Sequence, residues 1–188
     1  MQQQTAFSYI ELMLVITCLS LLAAATIPAW QQQQSGNHLL QAAETLAQDL
    51  RNARSLALIH NTPYFVHYDN ASNHNSAYSS ADSGTAWCYQ LATHADCHCL
   101  EPSPEPDCQS TTYPTVNAEE FPGIYLSEAL FGTQHYTRFE PVRGTARFGH
   151  LKLDDNFQRS LKINISMLGR IRICHPPGTI ATGPYPSC

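Results

Sequence analysis

Two arginines one residue apart, Arg170 and Arg172, follow Gly169 near the end of the chain. On an extended segment their side chains share a face. Their guanidiniums then sit about 7 Å apart, close to the spacing of successive phosphates along a polynucleotide strand. Each guanidinium offers a planar fork of donors that suits phosphate oxygens. Arg143, Arg147, Lys152, Arg159 and Lys162 lie in the same third of the sequence and would widen such a basic patch. At the other end Glu11 is a lone carboxylate at the start of an apolar run. An acid in hydrocarbon needs a cation from outside its own segment.

Six of the seven cysteines, Cys88, Cys97, Cys99, Cys108, Cys174 and Cys188, follow the apolar run, and Cys18 lies inside it. Six cysteines beyond an N-terminal anchor read as three disulfides in an oxidising compartment. Cys174 and Cys188 close a Pro/Gly-rich tail and are expected to pair. Cys97 and Cys99 are too near to bond each other without strain, so each is expected to pair with Cys88 or Cys108. A rival reading takes His94, Cys97, His98 and Cys99 as zinc ligands, but their spacing matches no zinc module. The nine histidines are scattered, with no H-E-x-x-H pairing, and most read as surface or turn residues. No phosphate loop and no nucleophile elbow is present. The sequence therefore gives no reason to expect an enzyme, a metal or a cofactor.

The elements that must position these residues follow from periodicity. Residues 12–30 carry no charge and would span roughly 28 Å as a helix, about one bilayer core. Pro28 removes one helical hydrogen bond. Beyond it, Leu39, Leu40, Ala43, Leu46, Ala47, Leu50, Ala53, Arg54 and Ala57 recur at three-and-four spacing. Glu44, Gln48, Asp49 and Arg51 are left to face water. One helix is expected from about residue 7 to about residue 59, with Gly36 as a weak joint. Asn61-Thr62-Pro63 ends it. Strands are expected at 64–68, 87–91, 124–127, 136–141, 151–153, 161–166 and 170–174. Residues 69–84 read as a loop, and the prolines of 101–106 exclude a central strand. Tyr64, Phe65, Tyr68, Phe139 and Phe148 are expected in the core. Tyr185 is expected beside the arginines, where it would stack on an unpaired base.

Charge is segregated. The net charge is −5, yet residues 55–137 carry nine acids and no Lys or Arg, while 138–172 carry eight bases against three acids. Such asymmetry points to a partner with a preferred face.

The opening Ala6-Phe7-Ser8-Tyr9-Ile10-Glu11-Leu12-Met13 resembles the class III signal of type IV pilins and type II secretion pseudopilins. The resemblance implies a leader at 1–6, peptidase cleavage between Ala6 and Phe7, N-methylation of Phe7, and pairing of Glu11 with a neighbouring subunit's amine. Ala6 stands where that family usually has Gly, and the leader lacks a basic residue; Ala remains small enough for the subsite. Phe139-Glu140-Pro141-Val142-Arg143-Gly144 resembles the F-x-P-x-G turn of the GspH/FimT/FimU branch. The run from Ile163 through Gly169 to Cys174 resembles its closing strand-turn-strand. The implied fold is α+β and pilin-like, a long N-terminal spine helix on a small, mostly antiparallel β domain. The implied division is a leader (1–6), a helix (7–60, its membrane and assembly half about 7–30 and amphipathic half about 31–60) and a GspH-like domain (61–188).

In the FimT proteins of that branch, a G-R-x-R segment contacts DNA in natural transformation. Carried over, those residues are Gly169, Arg170, Ile171 and Arg172. The implied partners are the DNA phosphate backbone, other pilins, the prepilin peptidase and, before assembly, the inner membrane. The implied location is inner membrane and periplasm, then a pilus or pseudopilus. The competing expectation is a structural pseudopilin, in which G-R-x-R only turns a hairpin and its arginines pair with Glu140, Asp154 or Asp155.

Overall fold

The computed structural model describes residues 9–70, 86–99, 108 and 115–188. The leader with its Ala6/Phe7 junction, most of the expected 69–84 loop and the proline run at 101–106 lie outside the described residues. Helix α1 spans Tyr9–His60, and the chain divides into two compact units, Met1–Gln34 and Ser35–Cys188.

In the first unit α1 is long and apolar enough to cross a membrane. Its Ile10, Leu14, Ile16, Leu21 and Leu22 side chains are exposed. The few hydroxyls there turn inward on the helix's own carbonyls: Thr17 Oγ1 donates to Leu14 O at 2.8 Å and Ser20 Oγ to Thr17 O at 2.8 Å. Such back-bonding hides a polar group that lipid would otherwise leave unsatisfied.

In the second unit α1 buries Leu39, Ala42, Ala43, Leu46, Ala47, Leu50, Ala53 and Ala57. These lie at helical spacing and form one apolar stripe. Eight strands follow: β1 (Tyr64–Asn70), β2 (Trp87–Ala92), β3 (Val116–Asn117), β4 (Ile124–Leu130), β5 (Tyr136–Phe139), β6 (Gly149–Asp155), β7 (Ser160–Ile165) and β8 (Ile171–Cys174). A short 3₁₀ turn, Ala118–Glu120, joins β3 to β4. Among the described residues they make two antiparallel sheets, ordered β3-β2-β1-β5 and β4-β6-β7-β8. Strand β3 is an addition to the expected set. The architecture is the expected α+β one, a long helix and antiparallel sheets.

Both sheets and the α1 stripe share one core. Tyr68 of the first sheet stacks on Phe131 at 5.3 Å between ring centroids. Trp87 stacks on Phe121 and donates its Nε1–H to Ile124 O at 2.8 Å. Gly36 is a close approach within α1: its missing Cβ leaves room for the Arg159 guanidinium.

The first sheet is covered on its second face as well. Disulfides Cys88–Cys99 and Cys97–Cys108 tie the segment after β2 back onto it. A small second cluster of Ala92, Cys97 and Cys108 forms there. Cys97 and Cys99 are thus consumed as cystine and are not thiolate ligands for zinc. This cover also buries His67. Its Nε2 lies 2.8 Å from His94 O, and its ring packs against Tyr136. His175 is likewise buried, its Nδ1 accepting the Thr182 N–H at 3.3 Å.

Burial pushes the His67 pKa below 6.5, outweighing its bond to His94 and the nearby Asp69. The unfolded chain therefore takes up a proton here before the folded chain does. Stability from this residue is complete above about pH 6.5 and falls as pH drops below it. Urea unfolding between pH 5 and pH 8 should show that slope, and His67→Gln should flatten it.

Candidate functional site

The hairpin β7–β8 sets the positions of Arg170 and Arg172. Gly169 N–H donates to Ser166 O at 2.9 Å, and Ser166 N–H to Arg170 O at 3.0 Å. Gly169 has φ of +72°, the left-handed conformation that glycine adopts without a Cβ penalty. This is the three-residue hairpin loop with a glycine bulge, Met167 and Leu168 at its tip. Gly169 also packs against the Gly144 carbonyl, which accepts Arg54 Nε–H from α1 at 3.0 Å. Helix, β5–β6 turn and β7–β8 hairpin therefore meet at one point. The glycine of G-R-x-R is a positioning residue.

The β5–β6 turn carries strain beside that point. Arg143 N–H donates to Pro141 O at 2.8 Å, closing a three-residue turn around Val142. Val142 has φ of 69°, costly for a β-branched residue, and its side chain is exposed.

Both arginines are exposed and line one groove on the outer face of the second sheet. Its floor crosses three strands, with His150 opposite Asn164 and Asn164 opposite Arg172. Its rim holds Phe148, Met167 and Leu168. Phe148 is 64% exposed and not in the core, because Gly149, not Phe148, takes the inward position over Phe131.

The three acids of residues 138–172 have other partners. Arg138 holds Glu140 at 2.9 Å, Lys152 holds Asp154 at 3.2 Å, and Arg159 holds Asp155 at 3.4 Å. Among the described residues no carboxylate lies within ion-pair distance of Arg170, Arg172, Arg143 or Lys162. Lys162 shares the outer face, opposite Lys152 on one side and Cys174 on the other.

Other sequence candidates are placed elsewhere. Arg159 is engaged with Asp155 and sits over Phe157, beside α1 at Gly36. Lys152 is shared between Asp154 and Glu128. Arg147 lies over the Tyr136 ring of the first sheet, as Arg138 lies over Phe65. Tyr185 is not beside the arginines: its hydroxyl donates to Glu44 of α1 at 2.7 Å and it packs on the core. Burial and that carboxylate push its phenol up to about 12. The C-terminal tail that carries it is closed by Cys174–Cys188.

The sequence model of one family, described as type II transport protein GspH, matches residues 42–169, more than half of the chain. The chain belongs to the GspH family. Neither curated proteins nor solved structures give a match. Membership makes this a minor pseudopilin by family, of a structural rather than catalytic kind. Its apolar N-terminal helix is consistent with membrane anchoring. The matched segment of this GspH-family chain ends at Gly169, so Arg170, Arg172 and the cystine-closed tail lie beyond it.

Gly169→Ala should lower the unfolding free energy by more than about 2 kcal/mol, since it adds left-handed strain and a collision with the Gly144 carbonyl. Val142→Asn should raise it by about 1 kcal/mol, because Asn tolerates the left-handed region. Urea denaturation of the two variants beside the parent chain measures both.

Proposed function

We propose that this GspH-family protein is a DNA-binding minor pilin of the FimT type, taking up extracellular DNA in natural transformation. The observation that carries the reading is the pairing pattern. Each acid near the basic third of the chain is held by another base, and Arg170 and Arg172 remain exposed side by side. Two guanidiniums on one groove, with no carboxylate among the described residues at ion-pair distance, suit a phosphate backbone, with Lys162 and Arg143 as further cations. Affinity should be independent of base sequence and steeply dependent on salt.

The remaining steps follow the pilin resemblance. The chain inserts through α1 into the inner membrane, prepilin peptidase cuts between Ala6 and Phe7, and Phe7 is methylated. Glu11 then pairs with the amine of a neighbouring pilin, offsetting the cost of an acid in hydrocarbon. The domain from residue 61 onward is displayed from the filament, and retraction draws bound DNA inward.

Arg170→Gln with Arg172→Gln should weaken DNA binding at least about ten-fold and reduce the salt slope by about 2, with thermal unfolding unchanged. Anisotropy titrations at several salt concentrations measure this in the full chain in neutral detergent. Unchanged affinity in the double variant would sink the assignment and favour a purely structural pseudopilin of a secretion system. Glu11→Ala should block filament assembly, seen by shearing and immunoblotting, and leave DNA affinity intact.

A further inference from the structure

Phosphate contacts account for the arginines of the groove but not for its apolar rim. Phe148, Met167 and Leu168 are 64%, 65% and 75% exposed. Exposed apolar residues scattered singly need no explanation, but these share one groove with two cations that have no carboxylate partner among the described residues. The aromatic ring is also firmly mounted. Gly149 lies directly against the Leu130 carbonyl and the Phe131 ring, so the backbone next to Phe148 is fixed to the core. Phe131 itself is 1% exposed. Phe148 and His150 are two apart and line the same outer groove. Behind the ring, Asn164 donates its Nδ2–H to Cys174 Sγ at 3.2 Å, which orients its amide. The amide oxygen has no protein partner among the described residues.

We propose that this groove selects single-stranded over duplex DNA. One unpaired base stacks on the Phe148 ring, between it and the Met167–Leu168 tip. The adjoining phosphates lie on Arg170 and Arg172, and the Asn164 amide meets the base edge, while His150 beside it is held by Glu128 at 3.2 Å. In a duplex both faces of each base are covered by their neighbours, so the ring has nothing to stack on. An aromatic platform beside a cationic track is the general arrangement for holding single strands without sequence preference. The inference rests on the DNA-binding reading above.

The test uses the full chain in neutral detergent and labelled oligonucleotides of about 16 nucleotides, as a single strand and as a duplex of the same sequence. The single strand should bind more tightly. Phe148→Ala should weaken the single strand about ten-fold and leave the duplex within about two-fold. Phe148→Trp should keep single-strand affinity, and the single strand should quench the new indole's fluorescence more than the duplex does. Equal binding of both forms, with Phe148→Ala inert, overturns the single-strand inference and leaves DNA binding standing. Equal loss of both forms in Phe148→Ala also overturns it, since a base-stacking ring acts on one form only. Failure of the parent chain to bind either form sinks both readings and assigns the apolar rim to a protein contact.

Discussion

The second half of α1 presents small side chains where it meets the sheets: Ala42, Ala43, Ala47, Ala53 and Ala57 are all buried, with Leu39, Leu46 and Leu50 between them. Small residues let a helix backbone approach closely, and the leucines fill the gaps. Inner-facing strand residues, among them Val66, Phe139, Leu151 and Ile163, pack into that one core. The helix also reaches sideways through polar links. Arg54 holds the Gly144 carbonyl, Asp49 accepts the Tyr89 hydroxyl at 2.7 Å, and Glu44 accepts that of Tyr185 at 2.7 Å. Burial pushes the Tyr89 phenol far up, so it stays a donor throughout the ordinary pH range. Loss of helix packing would remove the support of both sheets and of the hairpin that bears the arginines.

The two sheets solve their outer faces differently. The β1–β2 pair is roofed by its own cystine-tied segment, where Asp69 accepts the Cys99 N–H at 2.7 Å and His67 bonds His94. That roof replaces solvent with a small apolar cluster and fixes a loop whose entropy would otherwise oppose it. The β6–β8 face has no such cover among the described residues. It keeps a mixed lining of cations, amide and apolar side chains. On this face β6 pairs its charges, His150 with Glu128 and Lys152 with Asp154, while Arg170 and Arg172 at the hairpin have no carboxylate partner among the described residues and stand beside exposed aromatic surface.

Much of this was legible from residue order. The uncharged run at 12–30, the three-and-four spacing from Leu39 to Ala57, and the alternation in β6 and β7 each follow from local geometry, so helix and strands stand close to where the pattern puts them. Gly169 marks a left-handed turn position for the same reason. Regional charge segregation is likewise a property of the chain itself. What local pattern does not hold is which partner each group meets across the fold. His67 reads only as one residue of a strand until a disulfide-bonded segment closes over it. Phe148 reads as core until Gly149 takes the inward slot above Phe131. Tyr185 reads as a neighbour of the arginines until the cystine-closed tail carries its hydroxyl to Glu44 of α1. Sequence determines that Arg170 and Arg172 share a face; tertiary structure alone decides that no carboxylate among the described residues reaches them, because Glu140 is held by Arg138 and Asp154 and Asp155 stand at the end of β6 away from the β7–β8 turn, and ion pairing depends on distances of a few ångströms that sequence spacing does not encode.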